Sequence, residues 1–162
     1  MGGLGHLAIE FARKMGKKVV VFSGHDNKKD EAIALGAHEF YATAGKDKLD
    51  VAPLDRLIVT ANTLPEWGLY VPILDYEATV HALTIAMDDY KFPALDLTIK
   101  GIRIQGSAVA SRGVHTEMLE FAARHDIKPI VETFPLNKEG IEAAFEKLGS
   151  GNMRYRGVLV AE

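Results

Sequence analysis

The sequence predicts an α/β protein in which crossover helices join parallel strands, and three observations carry that expectation. Glycines at the start of the chain open directly onto a helical pattern. Two units of helix, glycine and strand then follow in succession, the arrangement a parallel sheet requires. Beyond Ser107 the patterning shifts, which marks a second piece and divides the chain into residues 1–108 and 109–162.

The elements follow in order. Leu4, Leu7, Ala8, Phe11, Ala12 and Met15 recur at helical spacing, with Gly16 where a C-terminal cap belongs. Residues 18–22 form a buried apolar strand. Asn27 is placed to cap a second helix that runs to Leu35, with Gly36 after it and a short strand at residues 38–41. Residues 55–61 give the next strand, followed by a short helical stretch from Trp67 to Leu74 that Pro65 and Pro72 limit. Strands are expected at residues 78–85 and 101–106. In the second piece Val114, Met118, Phe121, Ala122 and His125 line one helix, residues 130–133 suit a strand, Ile141, Ala144, Phe145 and Leu148 line a last helix, and residues 156–160 close as a strand.

Composition narrows the function classes. With 19 basic against 22 acidic residues the net charge is -3, which gives no reason to expect nucleic acid or an anionic membrane as partner. No apolar run approaches the roughly 20 residues that span a bilayer, so a soluble, cytoplasmic protein is expected. The absence of cysteine excludes disulfides, thiolate zinc sites and a cysteine nucleophile.

The opening Met1-Gly2-Gly3-Leu4-Gly5-His6 has the spacing of the back half of a dinucleotide-binding glycine turn. In that turn one glycine lets the main chain approach a pyrophosphate and another lets the helix pack closely on the sheet, roles that Gly2 and Gly5 match. The helix behind them would aim its unpaired amides and the positive end of its dipole at the phosphates.

Together with this turn, residues 28–32 (Lys-Lys-Asp-Glu-Ala), 35–37 (Leu-Gly-Ala), 126–129 (Asp-Ile-Lys-Pro) and 154–156 (Arg-Tyr-Arg) form an ordered set. That set resembles the C-terminal half of the zinc-dependent medium-chain alcohol dehydrogenases, in their NADP-using, cinnamyl-alcohol-dehydrogenase-like branch. The resemblance implies a Rossmann-like parallel sheet, here lacking its first strand, followed by a C-terminal piece of the catalytic domain. It implies hydride transfer between a small alcohol or aldehyde and nicotinamide. It also assigns roles. Gly2, Gly3 and Leu4 resemble the pyrophosphate turn, Leu83 a position near the nicotinamide, Ser107 and Val109 positions completing that contact, and Arg154 an arginine that helps hold the cofactor. Ordinary strand core for Leu83 and Val109, and a solvated surface charge for Arg154, stand as the plainer alternatives.

Cofactor choice follows from charge. An NAD site places a carboxylate roughly 20 residues after the glycine turn. Here the strand ends Phe22-Ser23-Gly24, and Ser23 can donate to the extra phosphate of NADP while Lys28 supplies charge. Lys28 and Lys29 are equally placed to be a solvated helix face, and Asp26 keeps NAD as the alternative.

The family's zinc ligands lie in a region that this chain lacks, and its six histidines show neither an H-E-x-x-H motif nor a pair at helical ligand spacing. No catalytic residue and no metal ligand is therefore assigned. The expectation is a fragment, truncated gene model or degenerate copy of an NADP-dependent alcohol dehydrogenase or aldehyde reductase. The alternative is a non-catalytic NAD(P)-binding sensor or interaction module. Because the first strand of a doubly wound sheet is central, its loss would separate the halves of the sheet or make them close up. Exposed ladder groups would then invite pairing with another chain, and a homo-oligomer is one expected outcome.

Overall fold

The computed structural model describes residues 2–161. Met1, which opens the glycine turn, and Glu162 lie outside the described residues. Helix α1 (Gly5–Lys14) leads to strand β1 (Val20–Ser23), and a short 3-10 turn (Asp26–Lys28) runs into α2 (Lys29–Ala34) and then β2 (Glu39–Ala42). Strand β3 (Leu54–Val59) is followed by α3 (Trp67–Tyr70), a second 3-10 turn (Val71–Ile73), β4 (Leu74–Ala82), α4 (Ala94–Lys100) and β5 (Arg103–Gly106). The remainder is α5 (Arg112–His125), β6 (Val131–Pro135), α6 (Lys138–Gly149) and β7 (Arg156–Val160).

Every strand pairing is parallel, as the succession of helices and strands predicts. The strands do not join into one sheet. They form three: β1 with β2, β3-β4-β5 with β4 central, and β6 with β7. No strand pairing joins β1-β2 to β3-β4-β5 among the described residues.

Each of the first two sheets has its own core. Ile9 of α1 packs with Val19, Val21, Ala32 and Ala37 on the small sheet. Around β3 and β4, Leu57, Val59, Trp67, Val71, Leu74, Ala78, Val80 and Ile102 form the larger cluster, with Tyr90 and Phe92 over Trp67. The last sheet has almost none. No residue of α5 is buried, and every residue of β7 is exposed. Val114 and Met118, expected to face a core, lie in the open, and Phe121 alone of that stripe stacks on an aromatic of α1, Phe11 at 5.9 Å.

Several helix ends follow from local chemistry. Gly16 and Gly36 take φ of +74° and +110° after α1 and α2, a conformation in which side chains are strained. The Ser111 hydroxyl accepts from the Val114 amide, and the Asn137 side chain accepts from the Gly140 amide at 2.8 Å. Asn27 is not a cap, contrary to the sequence reading. It sits inside the 3-10 turn, and Lys28 precedes α2 without a side-chain capping bond. Strand β4 begins at Leu74 rather than at residue 78, because Leu74 is fully buried and pairs with Leu54. The register then slips before Thr79 meets Arg56, and Glu77 in that irregular stretch takes φ of +57°.

Candidate functional site

The last ladder pairs place several of the sequence-derived site residues along one rim. Val59 pairs with Ala82 and Ala82 with Gly106, so β3, β4 and β5 end together. Leu83 follows immediately, its amide donating to the Val59 carbonyl at 3.1 Å, and the Ser107 amide donates to the Ala82 carbonyl at 3.3 Å. Leu83 is half-buried and Ser107 exposed. Ser23 is the last residue of β1, and its carbonyl is held by the Thr43 amide at 2.8 Å and hydroxyl at 3.2 Å, which leaves the Ser23 hydroxyl outside those bonds. Lys28 ends the 3-10 turn that follows. In doubly wound sheets, ligands bind outside the carboxyl ends of the strands.

Val109 stands just beyond this rim, 92% exposed and with φ of +52°. A β-branched side chain in the left-handed region is strained, and such strain is commonly found at binding sites.

Within the glycine turn, Gly2 and Gly3 meet different surroundings. A Cβ at Gly2 would meet nothing within 4 Å, so this glycine leaves open space for a close approach. A Cβ at Gly3 would lie 2.8 Å from the Tyr155 carbonyl oxygen and 3.0 Å from the Arg156 side chain. Gly3 is thus a packing glycine, pressed against the C-terminal segment. Leu4 precedes α1 with helical backbone angles and is half exposed. The first turn of α1 carries no acidic residue, while Arg13 and Lys14 lie in its last turn, so nothing offsets the positive end of the helix dipole.

Beneath the turn, His6 is completely buried. Its Nδ1 lies 3.2 Å from the Gly2 carbonyl, and its Nε2 accepts from the Ile130 amide at 3.1 Å. An accepting Nε2 assigns the ring proton to Nδ1, which donates to Gly2. The Tyr155 ring covers the imidazole face. Burial raises the Tyr155 hydroxyl above its ordinary pKa, and the Glu31 carboxylate adds to that.

Arg154 is engaged by two acidic residues. Its guanidinium pairs with Glu31 of α2, and its amide donates to Glu132 of β6. The Lys147 ammonium and the Arg154 amide together hold Glu132 below the usual carboxylate range. Arg156 is the residue that sequence reasoning passed over as plain strand. Among the described residues it makes no ion pair, and its guanidinium nitrogen would lie 3.5 Å from a Cβ at Gly3. The only sequence hint is its place in the Arg-Tyr-Arg triplet.

Among the described residues no three His, Cys, Asp or Glu side chains gather in a way that could hold a metal ion. Nor is any helix there long and apolar enough to cross a membrane.

Comparison with known proteins bears on the whole chain. Residues 3–124 match the family model described as zinc-binding dehydrogenase. The chain is 34% identical over 161 residues to aldehyde reductase AdhA of Synechocystis, covering 98% of this chain and 47% of that protein. It is 36% identical to dehydroprecondylocarpine acetate synthase of Catharanthus roseus, covering all of this chain and 45% of that one. Among solved structures, a cinnamyl alcohol dehydrogenase from Sorghum bicolor superposes with a TM-score of 0.87 at 30% identity, over 98% of this chain and 45% of its own. The CAD from Helicobacter pylori, complexed with NADP(H), gives 0.82 at 26% identity with the same coverages. The chain spans about half the length of the curated relatives it matches.

Proposed function

Because the chain belongs to the zinc-binding dehydrogenase family, we propose that it supplies the cofactor-binding half of an NADP-dependent alcohol dehydrogenase or aldehyde reductase. The observation that carries this reading is the rim where β3, β4 and β5 end together, which holds Leu83 and Ser107 with Val109 just beyond, while Ser23 stands at the carboxyl end of β1. The glycine turn and the uncompensated N-terminus of α1 supply an anion site of the kind a pyrophosphate needs. Gly2 gives it room, and Leu4 closes the turn. Arg156 faces the same turn from β7 and adds positive charge.

At the other end of the site a bound nicotinamide would supply the hydride chemistry. Leu83, Ser107 and the strained Val109 would hold the nicotinamide end. Ser23 and Lys28 receive the phosphate that distinguishes NADP from NAD. Arg154 acts through Glu31 and Glu132, positioning the C-terminal segment against the glycine turn. Residues 1–108 form the cofactor-binding unit and residues 109–162 belong to the catalytic unit. Alcohol or aldehyde turnover then depends on a zinc-bearing region that residues 2–161 do not contain.

Titration calorimetry with NADP and NAD tests the reading. Saturable binding of NADP, tighter than NAD, is expected. Absence of binding to either cofactor would remove it. Metal analysis tests the second half of the proposal, which tightly held, stoichiometric zinc with alcohol oxidation by this chain alone would overturn.

A further inference from the structure

Four stretches far apart in sequence meet at His6, beneath the glycine turn. The Nε2 of this buried ring accepts from the Ile130 amide at 3.1 Å, and Tyr155 covers its face with ring centroids 4.5 Å apart. Arg154 stands beside that cover, its guanidinium 5.9 Å from the Tyr155 centroid, and pairs with Glu31 of α2. Tyr155 takes φ of +59°, a strained backbone for an aromatic residue, so its surroundings rather than local preference hold it over the imidazole.

The remaining ring nitrogen reaches the turn itself. Nδ1 carries the ring proton, because Nε2 is accepting, and lies 3.2 Å from the Gly2 carbonyl oxygen. The same oxygen accepts from the His6 main-chain amide at 3.0 Å. It belongs to the peptide that joins Gly2 to Gly3.

With no Cβ on either side, a peptide between two glycines turns over at little steric cost. Its carbonyl and N–H lie on opposite sides of one plane, so the turned peptide exchanges their places. With the Gly2 carbonyl held inward, the Gly3 N–H stands at the mouth of α1 and adds a donor to the positive end of the helix dipole. With the peptide reversed, an oxygen stands there and repels an anion. A single bond in the first turn of a helix, where helices fray, holds that choice weakly. The imidazole proton supplies the second bond, from a ring whose other nitrogen and face are already engaged.

We propose that His6 is a positioning residue for the pyrophosphate. Its Nδ1 proton keeps the Gly2 carbonyl turned inward and the Gly3 N–H presented to the phosphate, while Ile130 and Tyr155 hold the ring in the orientation this needs. The proposal rests on the cofactor reading and deepens it, since it adds a buried side chain that acts without touching the cofactor.

Adenosine 2′-phosphate carries the phosphate assigned to Ser23 and Lys28 but no pyrophosphate, and serves as the control ligand in calorimetry beside NADP. His6→Phe keeps a ring against Tyr155 and removes the proton. It should weaken NADP binding about tenfold or more and leave adenosine 2′-phosphate unchanged. His6→Asn places a side-chain N–H near the position of Nδ1 and should recover most of the NADP affinity, although it loses the stack and should melt below His6→Phe. An affinity order that runs against the stability order is not what a merely structural histidine gives. Unchanged NADP affinity in His6→Phe, equal losses for both ligands, or His6→Asn binding no tighter than His6→Phe overturns the proposal. Nitrogen-15 spectra of the unaltered protein need no variant to fold. Bound NADP should shift the Gly3 amide proton downfield, adenosine 2′-phosphate should not, and the His6 ring proton should lie on Nδ1. A Gly3 amide unmoved by bound NADP, or a ring proton on Nε2, overturns the proposal as well. Failure of NADP to bind the unaltered protein sinks the cofactor reading and this role with it, whereas the other adverse results sink this role alone.

Discussion

His6 and Tyr155 stack face to face, with ring centroids 4.5 Å apart and planes 11° from parallel. The glycine turn at one end of the chain is thereby locked to the last strand at the other, and the Ile130 amide on the His6 Nε2 completes the lock. His6→Ala removes the stack, opens a buried space and strands that amide. A loss of about 2–4 kcal/mol is expected in urea unfolding. A loss within experimental error would show that the two ends do not depend on this contact.

The two neighbouring glycines should respond oppositely. Gly3→Ala forces a methyl against the Tyr155 carbonyl, which is main chain and cannot swing away, so a cost of about 1–3 kcal/mol is expected. Gly2→Ala meets open space and should leave the melting curve unchanged while weakening NADP binding. If Gly2→Ala leaves affinity intact, no phosphate approaches that position.

Cofactor preference is expected to turn on Ser23 and Lys28. Ser23→Asp places a carboxylate where the proposal puts a phosphate, and NADP affinity should fall by about tenfold or more with NAD little affected. Lys28→Ala should narrow the difference in the same direction. An unchanged ratio in calorimetry for both variants would reassign the phosphate to other residues.

Val109 offers a test of strain. Val109→Gly relieves the left-handed backbone at a side chain that touches almost nothing, and should raise stability by about 0.5–1 kcal/mol. NADP affinity should fall together with that gain, if the rim position is what holds the residue in place. Falling stability would mean that the conformation is not strained.

Acid sensitivity follows from two carboxylates. Lys18 and the Tyr41 hydroxyl lower the pKa of Glu39, and Lys147 with the Arg154 amide lowers that of Glu132. Unfolded Glu titrates near 4.3. A group lowered by folding stabilises fully above that value, and its contribution is lost as pH falls through the lower folded value. Lys147→Met should therefore flatten the acid limb of a stability-against-pH curve, and a limb of unchanged slope would place the sensitivity elsewhere.

Much of the fold was legible because its signals are local. Gly16 and Gly36 mark helix ends that only a positive φ could make, and the strand at residues 156–160 appears with the bounds its apolar run suggests. Asn27 misled because a capping residue type says nothing about the 3-10 geometry around it. Helix α4 went unread because Leu95 and Ile99 are exposed and give no buried stripe. For the site, the rim could be inferred from where strands end. The contacts of His6, Arg154 and Arg156 join residues more than a hundred positions apart, and no local pattern encodes such a meeting.

The division into three small sheets bears on how the chain reaches its native state. Within each sheet, paired strands are neighbours in sequence separated by one crossover, so loop-closure entropy is modest and these units can form early. Bringing Gly3 and His6 against Ile130 and Tyr155 closes nearly the full length of the chain. That closure is the slow step a refolding trace should show, with secondary structure recovered before the two ends find each other.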